Sequence, residues 1–167
     1  ALDAALDGVD AVFHLAAMAG LAKSWTDFDL YSSCNLTATQ RLLDAICRQP
    51  KKPRLVYAST SSVYGRYSSG DETLATRPIS PYGVTKLAAE HLCHLYWRGF
   101  GVPFIGLRYF TVYGPRQRPD MAFSIFIRSL LSGQTVQVYG DGEQTRDFTF
   151  VEDAISATLL AADSPHS

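Results

Sequence analysis

Short uninterrupted apolar runs alternate along this chain with longer stretches whose apolar residues recur every three to four positions. The first pattern is that of strands, the second that of helices lying on a core. "DAVFHLAA" (10–17), the opening of "RLVYASTSSVYG" (54–65) and "VPFIGLRYFTVYG" (102–114) carry few charges, so they read as strands covered on both faces. Helical spacing spans about 29–48, where Leu36, Leu42, Leu43 and Ile46 make an inner stripe closed by Pro50 and Pro53. A second helix is predicted from Pro81 to about Arg98, with Leu87, Ala88, His91, Leu92 and Leu95 in period. Its start is well marked: Ser80 is a preferred N-cap, and Pro81 suits the first helical position. "MAFSIFIRSLLSG" (121–133) reads as a helix closed by glycine, "TVQVYG" (135–140) as a strand, and about 151–162 as a last helix.

Strands alternating with long helical crossovers predict an α/β fold with a doubly wound parallel sheet. Ligands of such sheets sit beyond the carboxyl ends of the strands. That directs attention to "AAMAG", "STSSVYG" and "FTVYG".

Composition narrows the function classes. The chain has 167 residues, 47% apolar and 19% charged, with a net charge of −1. Nothing there favours nucleic acid or a membrane surface as partner, and no apolar run reaches the roughly 18 residues of a membrane span. Three scattered cysteines without a C-x-x-C pair argue against a disulfide framework or zinc, so a reducing, cytoplasmic setting is expected. His91 and His94 lie three apart without a third ligand, so no metal site is expected. His14 reads as a hydrogen-bonded core histidine.

The chemistry gathers at "STSSVYG" and "SPYGVTK". Tyr82 and Lys86 are four apart and share a helix face. A lysine cation within about 4–6 Å favours a phenolate, turning a weak acid into a general base. Thr60, at the carboxyl end of the preceding strand, can hold the reacting oxygen.

"YASTSSVYG" followed by "SPYGVTK" resembles the extended short-chain dehydrogenase/reductase family, specifically its sugar-nucleotide epimerases and dehydratases. "VFHLAA", "CNLTAT", "LRYFTVYGPRQRPDMA" and "GDGEQTRDFTFVEDA" match further motifs of that family in order. The resemblance implies a Rossmann-like sheet, NAD as cofactor, a nucleotide-sugar substrate and a homodimer to which the Tyr82 helix contributes. It implies catalytic roles for Thr60, Tyr82 and Lys86. Cofactor contacts would come from Leu15, Ala16, Ala17, Asn35, Ser59, Tyr82, Lys86 and Tyr109. Substrate contacts would come from Thr60, Ser61, Thr111, Arg118 and Arg146, the last near the nucleotide phosphates.

Ser61 and Ser62 stand where the family's dehydratases carry Asp-Glu and its decarboxylases a Glu, which favours an epimerase. "RYFTVYGPRQRPDM", with Thr111 where UDP-glucose 4-epimerases usually have Asn, is closer to UDP-glucuronate 4-epimerases, and Arg118 would suit a sugar carboxylate. The expected reaction is therefore inversion at C4 of UDP-glucuronate or UDP-glucose. A dehydratase, a decarboxylase or a truncated non-catalytic binder are the alternatives. No Gly-rich turn follows a first strand. In family terms the chain would run from the fourth strand into the substrate lobe, with residues 1–115 as partial NAD-binding domain and 116–167 as the start of that lobe, inactive alone.

Overall fold

The computed structural model describes residues 1–138, 140–143 and 145–165. They fall into two compact units, Ala1–Tyr109 with Thr158–Ser167, and Phe110–Ala157.

The first unit opens with a single helical turn, α1 (Leu2–Ala5), and a short strand, β1 (Ala11–His14). A long helical rod follows in three parts: α2 (Phe28–Tyr31), a π-helical segment (Ser32–Thr37) and α3 (Ala38–Cys47). Then come β2 (Arg54–Thr60), a 3-10 turn (Ser61–Val63), α4 (Pro81–Phe100) and β3 (Phe104–Tyr109). The three strands form one parallel sheet in the order β1-β2-β3, with Val12 opposite Leu55 and Leu55 opposite Phe104.

Two successive right-handed crossovers that step the same way across a sheet place both helices on the same face. The core shows this. Leu55 and Tyr57 of β2 meet Leu42, Leu43 and Ile46 of α3 and Ala89 and Cys93 of α4 in one cluster, most of it wholly buried. Val56, pointing the other way, is also buried, as a central parallel strand demands. The sheet is thus an α/β Rossmann-like arrangement, and every strand delivers its carboxyl end to the same edge.

The second unit contains β4 (Thr111–Tyr113), α5 (Ala122–Leu131), β5 (Phe148–Phe150) and the beginning of α6 (Val151–Asp163). β4 and β5 pair in parallel, Val112 opposite Thr149. Here the sequence reading needs correction. Residues 102–114 do not form one strand with its exit loop but two strands in two sheets. Residues 135–138 have no regular structure, Tyr139 lies outside the described residues, and a strand that the sequence pattern does not predict stands at 148–150. Strand propensity is realised only where a neighbour satisfies the backbone N–H and C=O groups. β4 finds that neighbour in β5, and Val138 is left 57% exposed.

Candidate active site

Thr60 closes β2 in extended conformation, and its Oγ1 accepts a hydrogen bond from the Ser62 N–H at 3.2 Å, capping the 3-10 turn. The first turn of α4 sits directly on that turn. A side-chain carbon on Gly83 would lie 2.8 Å from the Ser62 carbonyl oxygen and 3.0 Å from Pro78 Cβ. One on Gly65, held at φ +86°, would lie 2.0 Å from the Arg77 carbonyl oxygen. Only glycine permits these approaches, and they bring Tyr82, the neighbour of Gly83, to the turn that Thr60 starts. Ser80 caps the helix as expected, accepting from the Gly83 N–H at 3.1 Å.

Tyr82 is half-buried, its ring edge-on to that of fully buried Tyr31 at 6.2 Å. One turn on, Lys86 is 3% exposed, with its Nζ 4.3 Å from the centre of the Tyr57 ring. No oxygen among the described residues accepts a hydrogen bond from that ammonium. Burial lowers the Lys86 pKa to about 8. Burial likewise pushes the Tyr57 phenol up, so the ring beneath the cation stays neutral.

Asn35, within the π-helical segment and 1% exposed, has its whole amide engaged. Its Oδ1 accepts from the Met18 N–H at 2.7 Å, and its Nδ2 donates to the Met18 carbonyl at 3.0 Å and to Thr85 Oγ1 at 3.1 Å. Thr85 in turn donates to the Tyr82 carbonyl at 2.9 Å. The loop after β1 is thereby tied to the turn of α4 that bears Tyr82. Beside it, the Thr39 hydroxyl donates to the Asn35 carbonyl at 2.7 Å, so at 2.9 Å it must accept from His14 Nε2–H. His14 is the neutral, hydrogen-bonded histidine expected. Burial, with Lys86 adding to it, drops its pKa to about 4.

Leu15, Ala16 and Ala17 are exposed where β1 ends. Ser59 is 4% exposed and donates its hydroxyl to Glu90; Ser61 is half-buried in the 3-10 turn; the Tyr109 hydroxyl is hydrogen-bonded to Thr158 Oγ1. In the second unit, Thr111 stands in β4 opposite Phe148. Arg118 is exposed in a two-pronged ion pair with Asp120 at 2.9 and 3.1 Å, and exposed Arg146 donates to the Thr145 carbonyl. That unit also bears a groove of about 760 Å³ lined by Tyr113, Arg116, Phe123, Ile127, Arg128 and Leu131. Among the described residues no helix is long and apolar enough to cross a membrane, and no three His, Cys, Asp or Glu side chains converge as metal ligands do.

Sequence reading passed over two charged residues next to this corner, Glu90 and Arg108, which form a partly buried ion pair at 2.7 Å. A signal existed: Glu90 continues the spacing of Tyr82 and Lys86 by one more step of four, and Arg108 interrupts an otherwise uncharged strand.

The chain is 48% identical over 163 residues to an uncharacterized UDP-glucose epimerase, YtcB, of Bacillus subtilis (strain 168), covering 96% of this chain and 51% of that protein. It is 39% identical over 155 residues to a UDP-glucuronate 4-epimerase of Thermodesulfobacterium geofontis (strain OPF15), covering 92% and 48%. It superimposes with a TM-score of 0.93 and 48% identity on UDP-glucuronic acid 4-epimerase from Bacillus cereus, solved with UDP-glucuronic acid and NAD, covering 98% of this chain and 52% of that one. The chain thus spans about half the length of the relatives it matches. With the family model matched across residues 1–167, the chain belongs to the NAD dependent epimerase/dehydratase family.

Proposed function

We propose that this chain supplies the catalytic corner of an NAD-dependent epimerase that inverts C4 of a UDP-sugar, UDP-glucuronate or UDP-glucose. One observation carries the reading: Lys86 is a buried ammonium one helical turn from Tyr82, and its N–H groups meet no acceptor among the described residues. A buried cation whose neighbour is only an aromatic ring costs stability, and a ligand bearing hydroxyls would offset that cost. The residues present therefore fit a dinucleotide. Lys86 would donate to its ribose, exposed Leu15, Ala16 and Ala17 would line it, and Ser59 and Tyr109 would form the floor. Asn35 would act there by holding the Met18 loop in place. A bound NAD would supply the hydride acceptor and donor, the keto sugar rotating between removal and return so that the opposite face of C4 is reduced.

Within that frame Tyr82 removes the proton of the C4 hydroxyl and later gives it back, the Lys86 charge stabilising the phenolate in between. Thr60 hydrogen-bonds the same oxygen and holds it in line, with Ser61 beside it. Ser61 and Ser62 offer no carboxyl group for eliminating water, which favours epimerisation over dehydration or decarboxylation. Thr111, Arg118 and Arg146 supply substrate contacts, Arg118 exchanging Asp120 for a sugar carboxylate and Arg146 meeting the nucleotide phosphates. A second copy docks on the outer face of α4, where Val84 and Leu95 are exposed at 48% and 61%. In the full-length protein, Tyr82→Phe should lower turnover of the UDP-sugar by about 10²–10⁴-fold while NAD stays bound. Unchanged turnover overturns the assignment.

A further inference from the structure

Along the buried face of α4, Tyr82, Lys86 and Glu90 succeed one another at intervals of four. Glu90 is tied to its surroundings through both carboxylate oxygens. Its side chain is 13% exposed and that of Arg108 on β3 is 23% exposed. Arg108 Nη2 donates to Glu90 Oε2 at 2.7 Å, and its Nε lies 3.1 and 3.2 Å from the two carboxylate oxygens. Ser59, the residue before Thr60, donates its hydroxyl to the same carboxylate. On its far side Arg108 donates through Nη1 to the Tyr64 hydroxyl at 2.9 Å and to the Glu72 carbonyl at 3.4 Å, and its guanidinium stacks over the Tyr64 ring at 4.8 Å. Glu90 and Arg108 together thus link α4, β2, β3 and the segment following the 3-10 turn, the elements that bear or adjoin Thr60, Tyr82 and Lys86.

This clamp is not needed to fill space. Partly buried ion pairs contribute little net stability compared with apolar packing of the same shape, so their retention asks for another reason. We propose that Glu90 is a positioning residue of this site: clamped by Arg108 and Ser59, it seats α4 against the sheet and supplies the negative charge that holds Lys86 as a cation beside Tyr82. The proposal rests on the reading of Tyr82 and Lys86 as the acid–base pair. The groups facing Lys86 leave the role to Glu90. His14 on β1 is neutral, Tyr57 on β2 is neutral, and the ring of Tyr31 lies perpendicular to that of Tyr82. Cys93 on α4, its thiol pushed up to about 12 by burial, is uncharged while Lys86 titrates. Arg108 on β3 is itself a cation, bound to Glu90.

The test follows Lys86 directly, by NMR titration of full-length protein carrying 13C-labelled lysine, without NAD and with it, alongside the pH profile of kcat/KM. Glu90→Gln keeps the shape and most hydrogen bonds but removes the charge. The Lys86 midpoint should fall by roughly half a pH unit or more, and the alkaline limb of the profile should move with it. Should that variant fail to fold with Arg108 left unpaired, the double variant Glu90→Gln, Arg108→Met relieves the cation, and its Lys86 midpoint should lie below that of the single variant Arg108→Met, which differs from it only in the Glu90 charge. A Lys86 midpoint unchanged by loss of the Glu90 charge overturns the proposal and leaves Glu90 a structural strut. Absence of turnover in the wild type would instead overturn the proposed function, while the NMR titration still decides the role of Glu90.

Discussion

The two units use similar apolar helices to different effect. In the first, α3 buries Leu43, Ala45 and Ile46 completely against β2. In the second, α5 buries no residue: Ile125, Ile127, Leu130 and Leu131 are 43%, 57%, 67% and 85% exposed. A periodic apolar stripe states that a helix has a face to hide, and only the neighbouring chain decides whether it is hidden. The stability of this chain therefore resides in the first unit, around the sheet whose carboxyl edge carries Thr60 and on which α4 seats Lys86.

Substitutions can break that contrast. Leu43→Ala should cost about 2–5 kcal/mol in denaturant unfolding, as a cavity in a wholly enclosed site does, whereas Ile127→Ala should cost less than about 1 kcal/mol. Equal costs would mean that α5 is covered as fully as α3. The second test removes a burden from the first unit. The folded-state pKa of Lys86, about 8, lies below the ordinary 10.5. Between those values the unfolded chain holds a proton that the folded chain releases, so this residue's contribution to stability rises with pH across that window. Below pH 8 its cost is complete. Lys86→Met should accordingly stabilise the cofactor-free protein by on the order of 1–3 kcal/mol at pH 7, after loss of the contact with the Tyr57 ring. The advantage should shrink between pH 8 and 10.5 in a pH series of thermal melts.

A third test separates two glycines on one helix. Gly83→Ala meets the Ser62 carbonyl and should destabilise by about 1–3 kcal/mol, while Gly99→Ala meets nothing within 4 Å and should stabilise by up to about 1 kcal/mol. Like signs for the two would mean that the α4 start is not seated on the 3-10 turn. The smallest effect is expected at Arg118 in the second unit. Arg118→Ala should leave stability within about 0.5 kcal/mol of the wild type, its pair with Asp120 being exposed, but raise KM for UDP-glucuronate in the full-length protein. An unchanged KM would remove Arg118 from the substrate site.

Much of this was legible in the sequence, for identifiable reasons. The strands β1, β2 and β3 and the rod from α2 to α3 are set by apolar pattern, and the start of α4 by Ser80 and Pro81, all local signals. Tyr82 and Lys86 could be paired because helical spacing is local too. What escaped depends on partners far along the chain. β5 exists because β4 pairs with it from 37 positions away, Thr111 facing Phe148. Arg108 meets Glu90 through tertiary packing, and spacing alone names only one side of that pair. The motif around Asn35 points to a ligand, while its bonds to Met18 and Thr85, 17 and 50 positions away, lie beyond what a motif conveys.

The π-helical segment at Ser32–Thr37 has a further consequence, one of phase. An α-helix turns about 100° per residue, so a rod built without the wider turn would present its later residues on a rotated azimuth. Upstream of and within the segment the rod faces the β1 loop, with Tyr31 reaching Ala19 and Gly20 and Asn35 reaching Met18. Downstream it faces the sheet through Leu42, Leu43 and Ile46. The segment works as a mechanical offset that lets one rod address two targets. Deleting a single residue of the segment other than Asn35 would keep the chemistry of every remaining side chain and misalign one target with respect to the other.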